Sequence, residues 1–363
     1  MHDDKLNRGT FLPEDVTLLL TDITGTISPL PTKERERLIQ SGVHYSEMLP
    51  CEYEPTERYL AQYSLALDKF SGEVAKAVAI VAEKIYFSKQ RNPVIVSLAR
   101  AGTPAGILIK RYLQRKYGTD IPHYTISIVR GRGIDAAAMS YILSRHNAEN
   151  IQFTDGWTGK GAILDELHSA ARAYPTVEKN KRLLLAVIAD PANITDMCGT
   201  HEDIPIASSF LNATVCGLMS RTVIRPETGS GEYHGTVFYN NLRGEDRTYE
   251  FIGHIEGRFP KDISEINAPE AVSEEFNGLY GIEEIREIAE KFAVSDINFI
   301  KPGIGETTRV LLRRVPDMIL TAENAEPKYI AHLIQLAEEK CVPVVHYPLR
   351  RYAACGIIKA LEL

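Results

Sequence analysis

Three times between residues 93 and 167, a short apolar run gives way to a loop of small residues and then to a helical pattern. Pro93 to Ser97 runs into Leu98-Ala-Arg-Ala-Gly-Thr103 and a helix to about Tyr117. His123 to Val129 runs into Arg130-Gly-Arg-Gly-Ile-Asp135, with Asp135 as the N-cap of a helix over Ala136 to Arg145. Ile151 and Phe153 lead to Asp155-Gly-Trp-Thr-Gly-Lys-Gly161, after which Ala162, Ile163, Leu164 and Leu167 recur at helical spacing. Parallel strands need a crossover between them and a helix supplies it, so this alternation predicts an open parallel α/β sheet. Leu183 to Ala189 adds a further strand that ends at Asp190-Pro191. Sheets of this kind bind ligands at the carboxyl ends of their strands, which puts the loops on the ligand side.

The third loop is the richest in chemistry. A tight glycine loop at a helix N-terminus turns backbone N–H groups towards one point, and the helix dipole adds to their pull on an anion. Thr158 can donate a hydroxyl and Lys160 a charge, while Asp155 suits sugar hydroxyls or a metal ion. A carboxylate followed by a phosphate cradle points to a ribose 5-phosphate group; the plainer alternative is an ordinary βα turn capped by Asp. Arg100 in the first loop suits a second anion. Arg130 and Arg132 read equally as a mobile hood or as solvent-exposed loop arginines.

The flanking segments are less specific. Val16 to Asp22 reads as a strand. The Asp22-Ile-Thr-Gly-Thr that ends it imitates an aspartate-nucleophile phosphatase, but Thr24 stands where the second acid is needed. Thr56 to Gln90 predicts a long core helix with a break near Gly72. Residues 203–222 read as a packed β-hairpin or as a segment closing over a substrate, and Thr236 to Tyr239 and Tyr249 to Ile252 as strands. Pro260 to Asn277 reads as a connection. Beyond it, helices over Ile282 to Phe292 and Pro327 to Glu339 alternate with strands over Ile297 to Ile300, Met318 to Thr321 and Val342 to His346. A turn at Lys301 to Arg309 opens a helix, with Glu306 in its first turn. That pattern predicts a separate α/β unit able to fold by itself.

Composition narrows the class. At 363 residues, 44% hydrophobic and 25% charged, the chain is long enough for two globular domains and has the make-up of a soluble protein. A net charge of −7 argues against a nucleic-acid-coating protein. No apolar run approaches the roughly 18 residues of a membrane span, and the N-terminus lacks the pattern of a signal peptide. Five scattered cysteines with no C-x-x-C pair exclude a disulfide framework and give no zinc signal, so we expect a reduced cytoplasmic setting and no metal ligands from the protein. Cys198 stands three residues before His201, too close for a Cys–His pair within one rigid element. Cys216 lies among apolar residues, and both read as structural cysteines.

Leu98 to Thr103 is similar to the pyrophosphate loop of type I phosphoribosyltransferases. Asp155 with Thr158-Gly159-Lys160 is similar to their ribose-phosphate loop, although Thr154 stands at the first acid, the loop is one residue shorter and Gly161 replaces the closing Thr. The resemblance implies a phosphoribosyl pyrophosphate (PRPP) site with Mg²⁺ and transfer to an unknown base with loss of pyrophosphate. Its binding set would be Ala99, Arg100, Ala101, Gly102, Thr103 and Arg130 with Asp155, Gly156, Thr158, Gly159, Lys160 and Gly161. Asp155, Arg100 and Arg132 would be catalytic. Residues 280–363 resemble the L7Ae/Pelota RNA-binding domain, which implies a grip on structured RNA through Gly303, Glu306 and Arg309.

The expected fold is thus an open parallel sheet of phosphoribosyltransferase type over residues 1–260, a linker over 261–279, and a C-terminal α/β sandwich of L7Ae/Pelota type over 280–363. The pairing resembles bacterial tellurium-resistance (Ter) proteins, a group that also carries the label StiP-type cysteine protease. Two alternatives therefore stand beside the transferase: a non-catalytic, nucleotide-sensing RNA-binding protein, and a cysteine protease of that type.

Overall fold

The computed structural model describes residues 6–52, 54–174, 176–224, 232–261 and 281–361. Six strands form one all-parallel sheet: β1 (Thr17–Leu18), β2 (Val94–Leu98), β3 (His123–Ile126), β4 (Ile151–Trp157), β5 (Leu185–Ala189) and β6 (Cys198–Thr200), in the order β1-β3-β2-β4-β5-β6. The central strands read VIVSL and LAVIA and are buried at every position, because helices cover both faces. One face carries α2 (Glu57–Ser88), α3 (Gly102–Tyr117) and α6 (Thr248–Glu256). The other carries α4 (Ala136–Leu143) and α5 (Ala162–Ala171). A further helix, α1 (Thr32–Gln40), precedes them in the chain.

Several local expectations change. Helix α2 runs through Gly72 without a break. Its buried stripe (Val74, Val78, Val81, Ile85) outweighs the cost of about 1 kcal/mol for one helical glycine. Val16 to Asp22 splits between β1 and a two-residue strand, Thr21–Asp22, paired with Gly235–Thr236. Tyr249 to Ile252 lies inside α6, where Phe251, Ile252 and Ile255 bury one helical face; four residues were too few to separate the two periods. Residues 203–222 form no hairpin. They hold single 3-10 turns at Ala207–Ser209 and Ala213–Val215. Of the linker expected over 261–279, all but Lys261 lies outside the described residues.

The second sheet comprises β7 (Ile300–Pro302), β8 (Pro316–Ala322), β9 (Val344–Tyr347) and β10 (Ala354–Ile358), in the order β7-β10-β8-β9. Strand β10 is antiparallel to both neighbours, and β8 and β9 are parallel. Helix α7 (Gly281–Lys291) packs Ile285 and Ile288 on Ile300, Leu320 and Ile357. Helices α8 (Ile304–Arg313) and α9 (Pro327–Glu339) lie on another cluster. Their Ile304, Leu311, Leu333 and Leu336 belong to the same apolar core as Val78 of α2 and Leu108 of α3. Burying such a side chain contributes roughly 1.5–3 kcal/mol. A freed 280–363 fragment would expose that face, so the two sheets share a core where sequence reading expected independence. No helix among the described residues is long and apolar enough to cross a membrane.

Candidate active site

Strand β5 ends at Ala189, and Asp190 opens the turn that returns the chain as β6. The Asp190 carboxylate is buried and fully engaged. One oxygen accepts from Thr158 Oγ1 at 2.5 Å, and the other from the backbone N–H groups of Ile194 (2.8 Å) and Thr195 (3.0 Å). Pairing of Val187 with Cys198 and Ala189 with Thr200 then brings β6 alongside. Within a straight strand, residues three apart face opposite ways. The strand stops at Thr200, however, and the Glu202 N–H donates to Thr200 Oγ1 at 3.1 Å in the bend that follows. The His201 ring folds back. Its Nε2 lies 3.4 Å from Cys198 Sγ, and its Nδ1 lies 3.1 Å from the Asp190 carbonyl and 3.3 Å from Oδ2.

This is the order of contacts that nucleophilic catalysis needs: nucleophile, base, orienting acid. The Asp190 contacts assign the proton to Nδ1 and leave Nε2 facing the thiol. The Asp190 hydrogen bond, then that of Cys198, raises the His201 pKa from 6.5 to about 10 against the opposing effect of burial. Cys198 itself is 1% exposed, while the His201 side chain is 42% exposed. Lys84 holds the strand in place by donating to the carbonyls of Cys198 (2.9 Å) and Asp196 (3.0 Å). Gly199 is required there, since a Cβ would meet the Ala77 carbonyl of α2 at 2.1 Å. Among the described residues no other cysteine is paired with an imidazole, and burial pushes the thiols of Cys216 and Cys355 up. The three groups also lie within 4.8 Å of one another, close enough to share a cation.

A family model described as the tellurite-like stress resistance cysteine protease StiP matches residues 9–256. The chain belongs to the StiP family. It is 35% identical over 366 residues to the cysteine protease StiP of Acinetobacter baylyi (strain ATCC 33305 / BD413 / ADP1), an alignment that covers 97% of this chain and 94% of that protein. A PELOTA RNA binding domain model matches residues 279–360. Membership of the StiP family overturns the expected enzyme class: the matches are to a cysteine protease family, not to a phosphoribosyltransferase.

The polar groups expected to hold PRPP are engaged within the StiP fold itself. Asp155 accepts from the adjacent Gly156 N–H at 2.7 Å, and burial pushes its pKa up to about 6. Thr158 serves Asp190. Lys160 Nζ donates to the carbonyls of Ile297 and Ile300, the latter at 3.1 Å, and the Gly159 carbonyl accepts from Tyr352. Gly161 caps α5 at φ 92°. In the first loop, Arg100 is buried, pairs with Glu52 at 3.0 Å and donates to the Met219 carbonyl. Ala99 and Ala101 offer no polar side chain. Gly102 and Thr103 already lie in α3, where a Cβ on Gly102 would meet the Thr154 carbonyl at 2.6 Å. Arg132 pairs with Glu47, and Arg130 borders the cavity described below.

The expected RNA grip is likewise turned inward. Arg309 pairs with Glu306 at 2.6 Å and lies 4.5 Å above the Trp157 ring, while a Cβ on Gly305 would meet that ring at 2.5 Å. Asp203 receives the N–H groups of Ile304 (3.1 Å) and Ala353 (2.9 Å), next to Gly303 at φ 90°. Sequence reasoning missed Asp190, Cys198 and His201 as a set. The signal available was an acid closing one strand, followed within a dozen residues by a thiol and an imidazole.

Proposed function

We propose that the chain is a cysteine peptidase with Cys198 as nucleophile, His201 as general base and acid, and Asp190 as the group that orients His201. The contact that carries this reading is Cys198 Sγ to His201 Nε2 at 3.4 Å, with Nδ1 tied to Asp190. Sulfur bonds to the scissile carbonyl carbon with its proton held on Nε2, and the carbonyl electrons move to oxygen. When the oxyanion collapses, the C–N bond breaks and the imidazolium passes its proton to the leaving amine. Water, deprotonated by the same nitrogen, then releases the acyl group and restores the thiol. With the thiol 1% exposed, the resting enzyme is latent, and substrate must displace its cover first.

The test is labelling of the full chain with an epoxysuccinyl peptide probe, followed by mass spectrometry and a peptide-library cleavage assay. We expect the label on Cys198, its loss in His201→Ala, and no cleavage by Cys198→Ala. Cleavage that survives Cys198→Ala removes the assignment. RNA is the partner that the description of the second family model carries for residues 279–360. With Glu306 and Arg309 engaged at Trp157, such RNA would meet the faces of that unit turned away from the first sheet.

A further inference from the structure

A cavity of about 870 Å³ lies between the two sheets, within the range of small-molecule sites. It is bordered by the loop after β4, by residues around α1, by Arg221, and by residues 296–314 of the second unit. Its lining contains seven Arg or Lys side chains and four Asp or Glu. All four acids are engaged: Glu306 by Arg309, Glu166 by the N–H groups of Gly131 (2.7 Å) and Gly133 (2.9 Å), Asp155 by that of Gly156 and Asp296 by that of Asn298. Among the cations, Arg314 is matched by the buried Glu36 at 2.5 Å, and Lys160 by carbonyls.

Arg35 is the telling residue. It is 1% exposed and donates through Nη2 to the Arg313 carbonyl at 2.8 Å, but Nε and Nη1 have no hydrogen-bond acceptor. A buried guanidinium left with unused donors is costly, and a ligand that accepts from them removes that cost. Its surroundings add to the imbalance. Arg221 lies 4.6 Å above the Tyr45 ring, and its pKa is pushed down to about 10 by burial and by the charge of Arg35. Lys301 falls to about 8 through burial and nearby arginines, against the pull of Glu306. These cations hold one another at a disadvantage that a multiply charged anion would relieve.

We propose that this cavity binds a small phosphorylated organic molecule, with its phosphates on Arg35, Arg221 and Lys301 and its uncharged part against Tyr45 and Phe299. A guanidinium with unused donors suits phosphate, whose oxygens accept in the planar, forked geometry that arginine presents. A cavity of this volume takes one nucleotide-sized molecule. The proposal is independent of the peptidase reading. The two sites nevertheless touch, since Thr158 borders the cavity and its hydroxyl donates to Asp190.

The test is calorimetry and thermal melting of the full chain with ADP, inorganic tripolyphosphate, citrate and a single-stranded oligoribonucleotide. ADP and tripolyphosphate should bind one to one and raise the melting temperature, with citrate at least tenfold weaker. Arg35→Gln and Arg221→Gln should each weaken ADP binding about tenfold or more. Arg35→Gln should also melt, without ligand, no lower than the native chain, because it removes a buried charge whose Nε and Nη1 lack acceptors. If Arg35→Gln does not fold, Arg221→Gln, on a partly exposed residue, carries the test. Overturning results are no binding of either phosphate, equal binding of citrate, ADP binding unchanged in the variants, or binding of the oligoribonucleotide alone.

Discussion

The loop after β4 and the turn after β5 leave neighbouring strands at the same edge of the sheet, and they use their polar groups in opposite ways. In the first, Asp155 turns back on Gly156, Thr158 serves Asp190 and Lys160 caps carbonyls of the second unit. Each side chain there finishes a structural contact. In the second, Asp190 spends one oxygen and two backbone contacts on its own turn and still faces His201, which faces Cys198. A set of groups becomes chemically useful when the last member has a proton to give and nothing else to give it to. The second region meets that condition.

The largest effect should separate the two regions outright. Cys198→Ala or His201→Ala should reduce peptide hydrolysis by about a thousandfold or more, as loss of a nucleophile or its base does. Lys160→Ala should leave the rate near native and cost roughly 1–3 kcal/mol of stability through its orphaned carbonyls. Comparable loss of hydrolysis in Lys160→Ala, with the fold intact by circular dichroism, would erase the contrast.

Asp190→Asn should come next, at about a hundredfold, because an amide can hold the wrong tautomer of His201 facing sulfur. The same variant sharpens the comparison through its pH profile. His201 has a folded pKa raised from 6.5 to about 10, so its charged form stabilises the native state fully below about pH 6.5, and that contribution is lost as pH rises to about 10. Urea unfolding of the native chain should weaken across this window, and Asp190→Asn should flatten the slope. Identical slopes would deny the ion pair.

The smallest effect belongs to Asp155. Burial raises its pKa from 3.8 to about 6, so the folded state prefers the protonated acid and loses stability as pH climbs through that interval. Asp155→Asn should therefore stabilise the chain at pH 7 by roughly 1–2 kcal/mol, measured by chemical denaturation. Destabilisation at pH 7 would mean that the carboxylate has a charged partner worth more than its burial costs.

The parallel sheet was legible in the sequence because each strand and its helix announce themselves within about 20 residues. The Pro327–Glu339 helix was likewise readable from its N-terminal proline and apolar period. Strand β10 was not: Ala354 to Ile358 gains its meaning from two antiparallel neighbours far away in the chain. The Cys–His pair was set aside on spacing, a sound argument inside a strand and an inapplicable one where β6 stops at Thr200. Asp190 looked like a strand terminus, since nothing local records that Thr158, 32 positions earlier, would meet its carboxylate. Spacing captures geometry within an element, whereas this site is assembled across three strand ends.

Asp203 has a consequence of a different kind. Its carboxylate collects N–H groups from the start of α8 and from Ala353, while Lys160, Tyr352 and the ring of Trp157 seat neighbouring parts of the second unit. A protease nick between residues 261 and 281 would therefore turn one molecule into a two-fragment complex, with its pieces still in register. Without a tether, the association becomes dependent on dilution. A nicked sample that elutes as a single species at high concentration and separates when diluted would report the strength of that seat directly.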